Sequence, residues 1–392
     1  MGVQGRLFRM LALCAMLLGG CAALLSGCAT PPGQAVDRID ARVLSAQSDN
    51  AFTSIQAAID AAPDGQPWTI FIGPGVFEER VVINKPGIRL VGSGKRNTTI
   101  AYARYAGEPV APGSEETWGT FRTAVVEVLA PDVSLFDLTI ENTYDYPADD
   151  KLPKGHPDKI RGTQAVALKI AEQADRTVLQ RVTLLGYQDT LYAQSGRTYV
   201  LDSEIAGHVD FIFGAGNVLF EYTDVISRPR AHPMTFTGYV TAPSTLIEQE
   251  YGFTFLNCRL LREIGVPDNS VPLGRPWHPT TTFDDGRYAN PNAIGKSTFI
   301  NTFMDGHIAQ VGWSSMGGTA KDGSRKRFMP LTDARFSEFG SYGPGAHSNA
   351  DRPQISAAEL PLYTKEKALN DWTLNDWTPT TLSRQAHRLL IQ

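Results

Sequence analysis

Short apolar runs separated by glycine, proline and asparagine recur along most of the chain. Residues 52–59 place Ile55 and Ile59 on one face, which predicts a short helix that ends by Pro63. Strand-like runs follow at residues 68–72, 80–83 and 88–91. The pattern therefore begins with one helix and continues as closely spaced short strands.

A longer pattern starts at Leu179, in which two apolar residues five positions apart flank a polar centre. It recurs at the pairs Leu179/Leu184, Val200/Ile205, Phe220/Val225, Phe255/Leu260 and Phe299/Met304. A strand period of about 20–25 residues is typical of a solenoid. Leucine-rich repeats share this period, but their Leu-x-x-Leu-x-Leu framework is missing here, and a propeller blade needs about twice the length. The pattern predicts an all-β chain that forms a right-handed parallel β-helix, with residues one coil apart becoming neighbours at about 4.8 Å.

The composition agrees with this architecture. The chain has 392 residues, is 42% hydrophobic and contains 36 glycines and 25 prolines, which excludes a disordered chain and favours many turns. A net charge of −5 without a Lys/Arg run gives no sign of a nucleic-acid partner. Residues 356–360 and 364–369 predict a C-terminal helical tail that covers an apolar flank, while residues 52–59 cap the other end.

The N-terminal residues resemble a bacterial lipoprotein signal. Arg6 and Arg9 precede an apolar stretch, residues 11–25, that is short for a membrane span and ends in Leu-Ser-Gly-Cys28. Cys28 is therefore the predicted lipidation site, with Cys21 a weaker candidate and a plain secretory signal the alternative. The residue after Cys28 is not Asp, which resembles lipoproteins sorted to the outer membrane.

This interpretation divides the chain into a signal peptide, residues 1–27, a tether, residues 28–51, and a β-helix domain, residues 52–392. The expected protein is an outer-membrane lipoprotein that contacts the membrane through its lipid anchor only and is a monomer. If Cys28 carries lipid, Cys258 is the only thiol left after cleavage, so no internal disulfide forms.

Two acidic residues lie one repeat apart. Asp189 stands in Gly-Tyr-Gln-Asp-Thr-Leu-Tyr and Asp210 in Asp-Phe-Ile-Phe-Gly, so a β-helix brings them side by side on adjacent coils. Two close carboxylates share a proton, which makes one a proton donor and the other a nucleophile or base. The alternative is two aspartates that cap turns. Apolar neighbours around Asp210 favour the paired site, because a buried carboxylate needs a partner.

The Leu-Gly-Arg-Pro-Trp segment supplies a cation for this pair. Arg275 can bind Asp210 with two hydrogen bonds, and Trp277 offers a flat face that stacks on a sugar. Gln188 and Gln164 are amide donors that can stabilise an oxyanion. Asp149–Asp150 and Asp284–Asp285 are predicted to be solvated turns, and the seven histidines lack the spacing of a zinc site.

Together these segments resemble the pectin methylesterases, carbohydrate esterase family 8. The resemblance covers QAVAL, GYQDTLY, DFIFG and LGRPW in the family's order, from about Phe52 into the tail. It implies an ester hydrolase that acts on methylated galacturonate in pectin or oligogalacturonides, without a metal or organic cofactor. By this resemblance Asp210 is the nucleophile and Asp189 the acid and base.

The resemblance assigns the remaining site residues as well. Gln188 and Gln164 stabilise the oxyanion, and Arg275 binds the nucleophile. It places substrate contacts at Trp277, Tyr192, Val209, Phe213, Trp313 and Met316. The polar stretches 103–119 and 144–161 are expected to border or cover the cleft.

Two other functions compete with ester hydrolysis. The same fold supports other acyl ester or thioester chemistry, or cleavage of the pectin backbone by a glycosidase or lyase. The Gly-His-Gly segment of polygalacturonases and a calcium-binding acid cluster beside a lysine or arginine base are both missing from the sequence. A non-catalytic envelope protein that binds sugars is the third possibility, but such a protein has no use for a proton-sharing pair of acids.

Overall fold

A computed structural model describes residues 39–232, 234–369 and 372. Within these residues the chain winds through three parallel sheets, here called sheets 1, 2 and 3, and most coils contribute one strand to each sheet in that order. Strands are numbered along the chain. The prediction of an all-β parallel β-helix is confirmed.

Sheet 1 contains ten strands in the following spatial order: β1 (Ala41–Val43), β2 (Trp68–Ile72), β5 (Ile88–Gly92), β8 (Ser134–Phe136), β11 (Thr177–Gln180), β14 (Arg197–Leu201), β17 (Asn217–Glu221), β20 (Phe253–Leu256), β24 (Lys296–Ile300) and β28 (Arg335–Phe339). Sheet 2 contains eight: β3 (Gly75–Glu78), β6 (Thr98–Tyr102), β9 (Thr139–Asn142), β12 (Thr183–Leu185), β15 (Glu204–Gly207), β18 (Asp224–Ser227), β21 (Arg259–Arg262) and β25 (Phe303–Met304). Sheet 3 contains six: β4 (Val81–Ile83), β7 (Val126–Val128), β10 (Leu168–Ile170), β13 (Leu191–Ala193), β16 (Val209–Gly214) and β19 (Tyr239–Pro243).

Two antiparallel hairpins and a few short helices accompany the sheets. The hairpins pair β22 (Thr280–Phe283) with β23 (Gly286–Ala289) and β26 (Met316–Thr319) with β27 (Arg325–Phe328). The helices are α1 (Ile55–Asp60), α2 (Tyr146–Lys151) and α3 (Lys365–Ala368), with 3-10 turns at Thr120–Arg122 and Leu360–Tyr363. None of the helices in the described ranges has the length and apolar character needed to cross a membrane.

The repeated apolar pairs lie in register, one above the other. The first members stack in sheet 1, where Leu179, Val200, Phe220, Phe255 and Phe299 occupy successive strands. The second members stack in the same way in sheet 2. The rings of Phe220, Phe255 and Phe299 are nearly parallel, with centroids 4.4 and 4.3 Å apart. The period read from the sequence is therefore one coil of the β-helix.

Phe255 lies at the centre of this stack and is fully buried. Phe255→Ala is expected to lower the free energy of unfolding by about 3–5 kcal/mol, because it removes a large buried side chain and leaves a cavity between two rings. Urea denaturation measures this loss. Val76→Ala is the control, since Val76 is 61% exposed and its truncation is expected to change stability by about 0.5 kcal/mol or less. An equal effect of the two substitutions would contradict the stacked core.

The folded body begins earlier than predicted. Strand β1 pairs with β2 and buries Ala41 and Val43, so the tether assigned to residues 28–51 is wrong from Ala41 onward. Three residues of alternating burial are too short a pattern to stand out in the sequence. The predicted signal peptide, residues 1–27, and Cys21 and Cys28 lie outside the described residues.

Both predicted helical caps are present in part. Helix α1 is capped by the Ser54 hydroxyl and contacts β1, β2 and β4, the first strands of sheets 1 and 3. At the other end, residues 356–360 do not form the predicted helix, and a 3-10 turn occupies Leu360–Tyr363. The described part of the tail packs on the outer face of sheet 1, where Leu369 is buried and the Asn217 amide donates to the Ala368 carbonyl at 2.7 Å.

Candidate active site

A cavity of about 310 Å³ lies on the outer side of sheet 3. It brings together all five predicted catalytic residues: Gln164, Gln188, Asp189, Asp210 and Arg275. The rest of its lining consists of Thr120, Phe121, Phe213, Ala242, Trp277 and Met316. The two acids and the arginine face the same opening, as the predicted site requires.

Asp189 and Asp210 lie on adjacent coils. Leu191 of β13 pairs with Ile212 of β16, and the Asp189 amide donates to the Val209 carbonyl at 3.1 Å. Both aspartates have left-handed backbones, with φ of 65° and 51°, and the register of β16 against β19 shifts between Val209 and Ile212. Irregularities of this kind re-aim side chains and concentrate at functional sites. Winding the chain by one coil therefore places the two carboxyl groups beside each other.

Arg275 binds the carboxylate of Asp210 with a two-pronged contact. Its Nε donates to Oδ1 at 2.8 Å and its Nη2 donates to Oδ2 at 2.6 Å. The guanidinium also lies 3.9 Å above the ring of Tyr239. The preceding Gly274 is required for this approach, because a β-carbon there would lie 2.2 Å from the Thr241 hydroxyl oxygen. The segment that carries Arg275 is thus held directly against β19.

The two carboxyl groups are electrostatically different. Burial strongly raises the pKa of Asp189, the negative charge of Asp210 raises it further, and Arg275 only partly opposes both effects. Burial alone would lower the pKa of Arg275, but its contact with Asp210 leaves that pKa raised. Asp189 is therefore suited to hold a proton, while Asp210 accepts both hydrogen bonds from Arg275.

The Gln188 amide is oriented by a neighbouring threonine. The Thr163 hydroxyl donates to Gln188 Oε1 at 3.0 Å, which fixes the amide so that its NH₂ group points away from Thr163. Gln164 lines the same cavity. Two amides beside the acid pair can donate hydrogen bonds to an oxygen that becomes negatively charged during a reaction.

The contribution of the two parallel hydrogen bonds from Arg275 to Asp210 can be tested with a substitution that keeps the positive charge. Arg275→Lys is expected to lower kcat about 10–100-fold, because lysine replaces two parallel hydrogen bonds to Asp210 by a point charge. The measurement is turnover of a methyl-ester substrate with circular dichroism as a check of the fold. Arg287→Lys, on the exposed β22–β23 hairpin, is the matched control. Full activity of Arg275→Lys would show that charge alone is sufficient.

Aromatic side chains form one wall of the cavity. Phe213 and Tyr192 stack with their centroids 4.5 Å apart, and Trp277 lies 5.7 Å from Phe213. Phe121, which is 48% exposed, approaches Tyr192 from the opposite loop at 5.2 Å. Rings with one apolar face open to solvent are suited to pack against a sugar. Phe213, Trp277 and Met316 lie on the cavity, as expected.

One predicted substrate contact lies away from the cavity, and two others lie at its border. Trp313 is 4% exposed and stacks on Phe336 in the core with a centroid distance of 4.2 Å, so its assignment to the cleft wall is wrong. Tyr192 and Val209 lie directly beside residues that line the cavity, namely Phe213 and Asp210, and their contact with substrate stays a prediction. Tyr192 supports Phe213 from the neighbouring coil, and Val209 accepts the hydrogen bond from Asp189.

The pair Asp149–Asp150 is also corrected. These residues are only 5% and 4% exposed, and Asp150 accepts hydrogen bonds from the Tyr146 hydroxyl at 3.1 Å and the Ala231 amide at 2.6 Å. Both belong to helix α2, whose Tyr146 packs edge-on against His208 with ring centroids 4.3 Å apart, two residues before Asp210. The start of the stretch 144–161 therefore packs against the coil that carries Asp210.

Sequence reasoning missed Thr120, Phe121, Thr163, Tyr239 and Ala242. The polar stretch 103–119 was expected to border the cleft, and the 3-10 turn Thr120–Arg122 that follows it does line the cavity. No sequence motif indicated Tyr239, because it lies 36 residues before Arg275, the residue that it contacts. Across residues 39–232, 234–369 and 372, no group of three or more His, Cys, Asp or Glu side chains converges in a way that could hold a metal ion.

Known proteins are similar to this chain in both sequence and fold. A family model described as Pectinesterase matches residues 41–375. Pectinesterase A of Dickeya dadantii is 44% identical over 345 residues, which cover 87% of this chain and 93% of that protein.

Solved structures of pectin methylesterases show the same similarity. Pectin methylesterase PemA from Erwinia chrysanthemi superimposes with a TM-score of 0.83 at 44% identity, covering 87% of this chain and 99% of that chain. A pectin methylesterase in complex with a hexasaccharide gives a TM-score of 0.82 at 44% identity, covering 86% and 99%. With its acid pair, arginine fork and β-helix in place, this chain belongs to the pectinesterase family.

Proposed function

We propose that this protein hydrolyses the methyl esters of galacturonate units in pectin or methylated oligogalacturonides and releases methanol. The observation that carries the proposal is the pairing of Asp189, whose pKa is raised by burial and by Asp210, with the Asp210 carboxyl group that Arg275 binds by two hydrogen bonds. The hexasaccharide complex of a similar enzyme supports an oligosaccharide substrate.

In the first half of the proposed reaction, a carboxylate oxygen of Asp210 attacks the C6 carbonyl carbon of the ester. The carbonyl electrons move to oxygen, where the amides of Gln188 and Gln164 donate hydrogen bonds. When this intermediate collapses, the bond to the methoxy oxygen breaks and Asp189 gives its proton to that oxygen. The products are methanol, an acyl anhydride on Asp210 and an ionised Asp189.

In the second half, Asp189 takes a proton from water and the resulting hydroxide attacks the sugar carbonyl of the anhydride. The bond to Asp210 breaks and its carboxylate is regenerated. The sugar leaves as a carboxylic acid that loses its proton to solvent. Asp189 is again protonated, so both groups return to their starting states.

Product analysis separates this proposal from its alternatives. Ester hydrolysis releases methanol from methylated oligogalacturonides without new reducing ends or unsaturated sugars. New reducing ends would indicate a glycosidase, and unsaturated products would indicate a lyase. Activity confined to other acyl esters or thioesters would retain the mechanism but change the substrate. Binding without any product would favour a sugar-binding envelope protein.

We further propose that Cys28 carries the lipid that anchors a monomeric enzyme to the outer membrane. The Leu-Ser-Gly-Cys28 segment after a short apolar stretch supports this location. Cys28→Ser is expected to abolish incorporation of labelled fatty acid and to release the protein from the membrane fraction. Cys21→Ser is expected to keep both the label and the association with the membrane. The reverse result would assign the lipid to Cys21, and unlabelled wild-type protein would indicate a plain secretory signal.

A further inference from the structure

A second groove runs along the turns that connect sheet 1 to sheet 2. It has a volume of about 580 Å³ and shares no lining residue with the active-site cavity on sheet 3. Two tyrosines, Tyr222 and Tyr342, line it together with the amides Asn257 and Asn301. The groove therefore combines aromatic faces with polar side chains on a surface separate from the catalytic residues.

Tyr222 has an unusual conformation for its residue type. The residue that follows each sheet 1 strand here is left-handed, with φ of 47° at Asp202, 49° at Tyr222, 54° at Asn257 and 48° at Asn301. Asparagine and aspartate tolerate this conformation, but a bulky aromatic residue rarely adopts it. The Tyr222 side chain is also 59% exposed. A strained position occupied by an exposed ring suggests that the ring has a function.

Tyr342 supplies a second exposed ring in line with the first. It is 56% exposed, and Phe303 holds its edge at a centroid distance of 5.6 Å. Asn257 and Asn301 lie on the two coils after that of Tyr222. Tyr342 lies one coil beyond Asn301 and pairs with Phe303 of the Asn301 coil. Three coils correspond to about 14 Å. The rings thus stand at two points along a groove that runs parallel to the β-helix axis.

The floor between the rings offers hydrogen bonds. In the part of the chain that the structure describes, the side-chain amides of Asn257 and Asn301 make no hydrogen bond with the protein. Amides can donate to and accept from sugar hydroxyls. Aromatic rings combined with such amides are suited to a linear carbohydrate, whose rings have apolar faces and polar edges.

The charge of the groove limits the class of ligand that it can bind. Asp202, Glu204 and Asp224 line it together with only two cations, Lys95 and Arg259. Arg259 is bound to Asp224 at 2.5 Å, and Lys95 is bound to Glu204. The remaining charge is negative, so a polyanion such as de-esterified galacturonan is disfavoured.

We propose that the groove between Tyr222 and Tyr342 binds an uncharged, methyl-esterified stretch of galacturonan outside the active site. The identity of the polysaccharide rests on the proposed function, whereas the preference for an uncharged sugar chain rests on the groove alone. A polymer that occupies this groove raises the local concentration of ester near the enzyme. Short oligosaccharides that bind only in the active site do not reach the groove, so the groove does not change their hydrolysis.

Tyr222→Asn tests the proposal with a residue that the next two coils use at the same position. Binding of highly methylated pectin, measured by affinity electrophoresis in an Asp210→Asn background that prevents turnover, is expected to weaken about tenfold, since one stacking contact is lost. Tyr222→Asn/Tyr342→Ala is expected to weaken it further. Ile264→Asn removes a fully exposed apolar side chain outside the groove and serves as the control.

Steady-state kinetics of the variants with Asp210 intact give an independent measurement. Tyr222→Asn is expected to raise KM for methylated pectin while kcat/KM for short methylated oligogalacturonides stays unchanged. Its melting temperature is expected to equal or exceed that of the wild type, because asparagine suits the left-handed backbone. A loss of binding would then be separated from a loss of folding.

Several outcomes would overturn the inference. Unchanged pectin binding in the double variant would remove the groove as a binding site, and equally tight binding of polygalacturonate would contradict the argument from charge. Tyrosine-dependent binding of dextran with the same affinity would overturn the assignment to galacturonan. Failure of the wild type to release methanol from oligogalacturonides would instead refute the proposed function, since pectin binding is measured without turnover.

Discussion

Asp210→Asn is expected to reduce methanol release from methylated oligogalacturonides by about four orders of magnitude or more. The amide has the size of the carboxylate but lacks the negative oxygen that attacks the ester carbonyl. Its oxygen can still accept one hydrogen bond from Arg275, whereas alanine would leave this largely buried guanidinium without its partner. Asparagine is therefore preferable to alanine for separating chemistry from folding.

The measurement is single-turnover and steady-state methanol release, with thermal denaturation of the same preparation. Asp284→Asn, in the exposed turn between β22 and β23, makes the same chemical change outside the cavity lining and is expected to retain full activity. Methanol release by Asp210→Asn at a tenth of the wild-type rate or more would exclude Asp210 as the nucleophile.

Asp189→Asn is expected to lower kcat by about 10²–10⁴-fold, the usual contribution of a general acid. Without the Asp189 proton, the departing methoxide must take its proton from water. Because attack by Asp210 does not need this proton directly, the loss is expected to be smaller than for Asp210→Asn. An ester with a more acidic alcohol leaves more easily, so it should recover part of the lost rate, which loss of binding alone would not allow.

The same substitution is expected to stabilise the protein at neutral pH. Burial and Asp210 raise the pKa of Asp189 well above its unfolded value, so the folded state binds this proton more tightly than the unfolded state does. Wild-type stability therefore falls as pH rises from the unfolded pKa towards the folded one. Asparagine does not titrate, so Asp189→Asn should have the higher melting temperature at pH 7, and the difference should shrink near pH 4.

Melting curves of wild type, Asp189→Asn and Asp284→Asn across this pH range measure the effect. Asp284→Asn is expected to follow the wild type. A lower melting temperature of Asp189→Asn at pH 7, with no dependence of the difference on pH, would show that Asp189 is not held protonated by its surroundings.

The periodicity of the sequence was sufficient to predict the coils and the pairing of the two acids. A parallel β-helix places residues one period apart on neighbouring strands, so the spacing of Asp189 and Asp210 translates directly into adjacency. The stacked apolar pairs follow for the same reason. Their register depends only on local strand pairing, which the regular spacing of apolar positions specifies.

Contacts made through long loops were decided only by the tertiary structure. Arg275 follows Asp210 by 65 residues, across insertions that the period does not describe. The need of a buried carboxylate for a cation, and then the motif resemblance, assigned it to this acid, whereas the periodicity did not. Burial of Trp313 and of Asp149–Asp150, and the approach of Phe121, depend on which surfaces the loops meet. Tyr222 and Tyr342 likewise appear unrelated until the coils align them. Sequence thus determined which residues repeat, and packing determined which distant side chains meet, because regular strand pairing is local while loop positions depend on the whole fold.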